Sequence, residues 1–367
     1  MDIFNSVGIS VAAFIGIFSV LVFFHELGHF WVARRFGIRV DAFSIGFGPT
    51  LAQWVDKNGT EWKISALPLG GYVKFFGDAS GASNQDDDLD AMPEADRADC
   101  FHYRPLYQRA AVVFAGPLAN FLLAIVLFAG VFMTAGQAYT PPVIHNVIAG
   151  SVAEKTGFQP FDEVVDVDGV SVETFQEMAQ LIAMNPNREL SFHVVRDNRD
   201  IELIATPEGI IQDTLSGRQL VGRLGISSPA QDRVKRGPIE AFGYAILETR
   251  DTVVMIGRTL AEIVTGNRSI KELGGPLKIG QVSGEVAQIS LIAILTFTAL
   301  LSVNLGLINL LPIPMLDGGH LLYYAFEAVR GKPLGMKAQE YGFRLGMAFV
   351  LLFMVVVTWN DIIHLAS

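Results

Sequence analysis

Apolar residues in this chain fall into long unbroken runs, not the three-and-four spacing of a half-buried helix. Four runs are long enough to cross a bilayer: Val7 to Phe30, Ala110 to Ala135, Val286 to Leu311, and Leu345 to Trp359 continuing towards Ile363. Between the first two the pattern shortens. Ile38, Val40, Phe43 and Ile45, then Trp62 to Leu67, then Tyr72 to Phe76 read as short strands. Turns separate them at Gly46-Phe47-Gly48-Pro49 and around Pro68 and Gly70-Gly71. From Pro141 to Ser228 strand patterns surround one helical stretch, Thr174 to Met184, as in a soluble α+β domain. Ile239 to Thr265 has helical apolar spacing broken by Glu248, Arg250, Asp251, Arg258 and Glu262. That is an amphipathic helix lying on the membrane or on the bundle. Gly274-Gly275-Pro276 reads as the break before the third span.

This pattern divides the chain into four parts. Residues 1–137 form the first half of a membrane core, with spans one and two and a β segment at about 38–76. Residues 138–230 form the α+β domain, 231–285 a peripheral amphipathic segment, and 286–367 the second half of the core. Composition agrees with a mostly α membrane protein. The chain of 367 residues is 51% hydrophobic, and its mean hydropathy is +0.39. A net charge of −10 without a basic stripe excludes nucleic acid as a partner. The single cysteine, Cys100, excludes an internal disulfide and a multi-cysteine zinc site.

Loop charges orient the spans. Arg34, Arg35 and Arg39 follow the first, and Arg104 and Arg109 precede the second. Arg330, Lys332, Lys337 and Arg344 lie between the third and fourth. Both loops are therefore expected in the cytoplasm, with the two termini and the α+β domain outside. Asp86-Asp87-Asp88 does not oppose this, since acidic residues count little in the rule. The stretch from Asp86 to Asp99 reads as a solvated loop. The first span lacks a basic leader and a small-residue cleavage site, so it is expected to be retained.

Chemistry enters at the end of that first span, at His25-Glu26-Leu27-Gly28-His29. On a helix, two histidines four residues apart share one face and reach a single ion. Glu26 is offset, placed to act as a general base on a water without being a ligand. Ionisable groups at membrane depth are costly and point to function. The third span ends in Asn309-Leu310-Leu311-Pro312-Ile313-Pro314-Met315-Leu316-Asp317-Gly318-Gly319-His320. Two prolines break the helix where it leaves the apolar run, on the same membrane side as His25. Asp317 is the expected third metal ligand, with His320 as competitor. Two histidines and one acid leave a zinc coordination position open, as catalysis requires. The Asp317 alternative is a plain turn residue before two glycines. Gly116, Pro117 and Asn120 in the second span read as packing features, with a direct role beside the metal as the other possibility. The β segment either dips beside the metal and offers an edge to an extended peptide, or packs as a cytoplasmic hairpin.

The two motifs together resemble those of the site-2 protease family of intramembrane zinc metalloproteases, in particular the bacterial sigma-E regulator proteases. His25 to His29 matches the first motif, and Asn309 to Gly318 matches N-x-x-P-x-P-x-L-D-G. Phe43 to Gly48, Leu67 to Val73 and Gly116 to Asn120 also resemble segments of that family. The resemblance implies four transmembrane helices, a membrane-re-entrant β element and a PDZ-like α+β domain outside the cytoplasm. It implies Zn2+ held by His25, His29 and Asp317, Glu26 as catalytic base and Asn309 as a substrate-positioning residue. It further implies residence in the bacterial inner membrane, and cleavage of single-span membrane proteins such as anti-sigma factors after a first cut by another protease. Two features depart from it. One PDZ-like domain fits here instead of two, and Phe161 stands before Asp162 where glycine is usual. A catalytically inactive, membrane-anchored PDZ scaffold is the alternative from another class. Intact Glu26 and only three candidate ligands oppose it, since structural zinc sites close with four. A metal transporter would need polar residues along several spans, whereas here they cluster at one depth.

Overall fold

The computed structural model describes residues 2–78, 93–214, 217–228, 232–266 and 274–366. The acidic run at Asp86 to Asp88 lies outside them. The chain divides into two compact units, Met1–Val131 with Ile239–Ser367, and Phe132–Pro238.

The first unit opens with helix α1 (Asp2–Arg35). It ends at Gly37, whose φ of +73° favours glycine, and turns directly into strand β1 (Val40–Val55). Strand β2 (Glu61–Phe75) follows after a turn held by Asp56, which accepts from the N–H groups of Asn58 and Thr60 and from Trp62 Nε1. These are two long strands, not the several short ones the pattern predicts. Gly46-Phe47-Gly48-Pro49 does not end β1; the strand passes through it with shifts of register, a bulge at the residues that resemble a turn. Residues 42–45 pair on both sides, with 61–64 and with 71–74, while 50–55 pair with 61–65. Segment 71–75 is therefore an edge. The base of the hairpin is buried: Val40, Phe43, Val73 and Phe75 pack with Ala33 of α1 and with Phe101, Val112 and Val113. Full burial of one such side chain as Phe43 contributes about 1.5–3 kcal/mol. The outer half is exposed and apolar at Leu51, Trp54, Val55 and Leu67. A short helix α2 (Glu94–Arg97) leads to the long helix α3 (Leu106–Thr134), with Pro117 inside it.

The second unit is α+β. Strand β3 (Gln137–Tyr139) pairs with β12 (Asp232–Val234), and β4 (Asn146–Val147) with β11 (Ile226–Ser227). Helix α4 (Val152–Thr156) precedes a four-stranded sheet of order β6-β5-β7-β8, made of β5 (Glu163–Val167), β6 (Val170–Ser171), β7 (Leu190–Arg196) and β8 (Arg199–Ala205). Helix α5 (Phe175–Ala183) starts at a capping box, with Thr174 and Glu177 bonding each other's backbone. It buries Met178 and Ile182 against Phe158, Val164 and Phe192. The hairpin of β9 (Glu208–Thr214) and β10 (Gly217–Arg223) is an addition to the strands read from the sequence. Phe161, at φ +73°, holds a left-handed position that an aromatic residue rarely adopts.

The first unit resumes with the amphipathic helix α6 (Pro238–Val264) and then α7 (Pro276–Ile289). Gly275 is the N-cap of α7, a separate helix that stands between this break and the third span. Asp361 covers that end, accepting from the N–H groups of Gly275, Leu277 and Lys278. The true break is Ser290, whose Oγ accepts from Ala293 N and caps α8 (Leu291–Asn309). The third span thus begins five residues after Val286. Helix α9 (Asp317–Arg330) and helix α10 (Met336–Ala366) complete the chain. Among the described residues, four stretches are long and apolar enough to cross a membrane: Val7–Arg35, Leu106–Thr134, Leu291–Asn309 and Lys337–Ile363. Ile17 and Leu21 of α1, Leu123 of α3 and Phe297, Leu301 and Leu305 of α8 form a core shared by the first three.

Candidate metal centre

One helical turn separates His25 and His29 on α1, and their imidazoles meet edge to face with ring centroids 4.8 Å apart. Their Nε2 atoms are 3.3 Å apart. Asp317, the first residue of α9, approaches from the other end of the sequence. Its Oδ2 lies 3.2 Å from His25 Nε2 and its Oδ1 3.6 Å from His29 Nε2. The ligand atoms of these three residues all lie within 4.8 Å of one another. No other such group of three occurs among the described residues. Asp317 Oδ2 is buried without a hydrogen-bond partner. Three lone-pair donors converging in a buried place, one of them an orphan, fit a divalent cation. Two imidazole nitrogens and one carboxylate are a zinc donor set with a position to spare. Burial alone would raise the Asp317 carboxyl, but the facing His29 and His25 hold it below the usual carboxylate range.

Asp317 is aimed by a tight loop. The chain after Asn309 folds back on itself, with Leu316 N–H donating to Ile313 O and Gly319 N–H to Leu316 O. A Cβ on Gly318 would strike the carbonyls of Leu310 and Leu311, and one on Gly319 the carbonyl of Ile313. The two glycines after the ligand are there because backbone occupies the space. Farther along α9, Glu327 accepts from Arg109 of α3 at 2.5 Å, and the guanidinium lies 5.0 Å from the Tyr324 ring centroid. That strut ties the helix bearing Asp317 to α3.

Glu26 lines the same cavity of about 190 Å³ as His25, His29, Asp317, Asn309 and His320. It is not in the ligand group. Gly71 lies so near that an added Cβ would be 3.1 Å from Glu26 Cγ. Gly71, Tyr72, Val73 and Phe75 form another wall. The edge of β2 therefore runs along the reaction cavity, and that edge has no strand partner among the described residues. Asp78 anchors its end, accepting from Phe75 N–H at 3.1 Å and facing His102 Nε2 at 2.8 Å, while burial pushes its carboxyl up. His320 stands one turn from Asp317, outside the ligand group.

The model of peptidase family M50 matches residues 13–353. This chain belongs to peptidase family M50. A protein of Rhizobium meliloti that carries a zinc metalloprotease name is 41% identical over 359 residues, 96% of each chain. One of Agrobacterium fabrum with the same kind of name is 42% identical, over 96% of this chain and 95% of the other. Metalloprotease MmpA of Caulobacter vibrioides is 39% identical over 96% of this chain and 95% of its own. The protein is thus a zinc-dependent M50 metalloprotease, and its four apolar helices make it a multi-pass membrane protein.

Reading Gly116 and Asn120 as packing features understates them in this M50 site. Asn120, fully buried, places Nδ2 3.1 Å from His25 Nδ1. Val112 O accepts from His29 Nδ1 at 2.8 Å. Between them, a Cβ on Gly116 would run into both imidazoles. Pro117 removes the N–H that would close on Val113 O, and Val113 also lines the cavity. The spacing 112, 116, 120 on α3 was the available signal, since it repeats the four-residue step of the two histidines on α1.

Proposed function

We propose that this M50 protease is an intramembrane endopeptidase that cuts the transmembrane segments of single-span proteins, anti-sigma factors among them. The observation that carries the reading is the unpaired β2 edge at 71–75, set beside Glu26 and the three ligands in one cavity. A peptide bond in a spanning helix is shielded by its own backbone hydrogen bonds, so the substrate must be extended to be cut. An edge strand supplies replacement partners for that backbone and fixes its register. Asn309, at the end of α8, lines the same cavity and is the residue we assign to position the substrate strand. Zinc held by His25, His29 and Asp317 would supply Lewis-acid polarisation and would acidify a water. Glu26 is the base that takes the proton of the attacking water and delivers it to the leaving amine.

The exposed apolar outer half of the β1–β2 hairpin favours a re-entrant position in the bilayer. Lys and Arg in the loops favour a site near the cytoplasmic face of a bacterial inner membrane, with the second unit outside. We read that second unit as PDZ-like and as a filter on substrates before entry. The inactive-scaffold alternative has no observation in its favour, since Glu26 and an open three-ligand set are both present. The deciding experiment is Glu26→Gln in purified full-length protein with a model single-span substrate. Zinc content stays at the wild-type level while cleavage falls by about 10²–10⁴-fold. Zinc retained with full cleavage would remove Glu26 from the mechanism.

A further inference from the structure

The buried amide of Asn120 poses a problem that the metal resolves. Its Nδ2 faces His25 Nδ1 at 3.1 Å, and its Oδ1 is buried with no partner. If Nδ2 donates to Nδ1, the proton of the neutral imidazole must sit on Nε2. Yet His25 Nε2 is the nitrogen that points at Asp317 and at His29 Nε2. That tautomer would close the ring to a metal. Turning the amide over, which changes no heavy-atom position appreciably, places Oδ1 on His25 Nδ1–H and leaves the Nε2 lone pair bare. Either setting leaves one amide atom without a partner, so the bonding of His25 decides.

We propose that Asn120 is a positioning residue that accepts from His25 Nδ1–H through Oδ1 and thereby holds His25 in the metal-binding tautomer. It rests on the zinc reading of the site and adds a role to a residue outside the ligand set. His29 supports it by symmetry: its Nδ1 already donates to Val112 O at 2.8 Å, which leaves its own Nε2 free. Both ligands are then set by one face of α3, through a backbone carbonyl for His29 and a side-chain carbonyl for His25. At Gly116 the face must stay empty to admit both rings. The backbone that carries this amide is fixed: Ser302 Oγ of α8 donates to the Asn120 main-chain carbonyl at 2.8 Å, holding this turn of α3 in place. A ligand's other ring nitrogen is commonly held in this way, and losing the partner weakens metal binding about 10–100-fold.

The test separates orientation from packing with two near-isosteric variants of the full chain in detergent, Asn120→Leu and Asn120→Asp. The readout is the rate of zinc loss to a chelator, with the ligand-field spectrum of the cobalt-substituted protein as a second measure. Asn120→Leu fills the same space without an acceptor, and zinc loss is expected to accelerate about 10–100-fold. Asn120→Asp keeps the acceptor and adds charge that favours Nδ1–H, so its zinc loss is no faster than wild type. Wild-type zinc release from Asn120→Leu overturns the proposal. Should Asn120→Leu fail to fold, Asn120→Asp still decides: rapid zinc loss there means a buried charge without a donor, and orientation through Oδ1 is wrong. A cobalt spectrum shifted in Asn120→Leu but not in Ser302→Ala places the effect at His25 and not in helix packing. Equal shifts in both overturn it.

Discussion

Where α3 meets α1, the contact is made by absent atoms. Gly28 faces the Ala115 carbonyl and Ala119 Cβ, and Gly116 faces both imidazoles. The backbones come close enough for Asn120 and Val112 to reach the ligands. In the Phe132–Pro238 unit the contact is made by volume. Phe158, Phe192, Met178 and Leu190 fill a closed core under the sheet, and Asp162, buried, is paired with Arg196. The difference follows from solvent. Apolar burial drives the second unit together, whereas lipid offers little gain for apolar helix faces, so close approach and polar bonds set helix pairing in the spans. The first region should therefore fail on gaining one carbon atom, and the second should absorb changes at its surface.

Adding that carbon is the severest test. Gly116→Ala places a methyl group in the space of the two rings, and we expect proteolysis to fall by about a hundredfold or more, with zinc content falling too. Gly130→Ala on the same helix, where a Cβ meets nothing within 4 Å, leaves both unchanged. Equal behaviour of the two variants, measured by metal analysis and cleavage rate, would break the comparison. The next effect comes from the strut between α3 and α9. Arg109 and Glu327 are largely buried, with side chains 14% and 16% exposed. Arg109→Met leaves a carboxylate unpaired and is expected to cost about 3–5 kcal/mol, while Arg109→Met with Glu327→Leu recovers most of it. Thermal unfolding in detergent reads both, and a double variant as poor as the single would mean the pair acts through more than charge.

The smallest effect lies in the second unit. Phe161 is 75% exposed at a φ of +73°. Replacing it by glycine removes the left-handed strain, and the gain is expected to reach about 1 kcal/mol after the added freedom of the unfolded chain is counted. Zinc content and cleavage of a short model substrate stay as in wild type. A lower melting temperature for Phe161→Gly would show that the ring makes a stabilising contact, with His145, whose ring centroid lies 5.8 Å away, as the candidate.

Residues a few positions apart carried what could be read directly from the chain. The four apolar runs mark the spans because only a helix satisfies its own backbone in lipid. His25 and His29 share a face because α-helical geometry leaves them no other choice. The capping box at Thr174 and Glu177 marks the start of α5 for the same local reason. Local signals failed where tertiary partners overrode them. Glycine and proline at 46–49 read as a turn, yet pairing on both sides of 42–45 carries β1 through them. Gly274-Gly275-Pro276 read only as the break before the third span, yet Asp361, far along the chain, caps a separate helix there.

What the sequence alone carried is the set of residue types that the proposed chemistry needs: two histidines and an aspartate as candidate ligands, a glutamate as candidate base, and the apolar helices around them. Only the tertiary structure decided how they are held. Asp317 reaches His25 across 292 positions of sequence because Gly318 and Gly319 let the loop close. Asn120 reaches His25 across 95 positions because Gly28 and Gly116 let two helices touch. No periodicity encodes such approaches. They depend on which atoms are missing from two distant stretches at once, and that is settled only when both stretches occupy the same space.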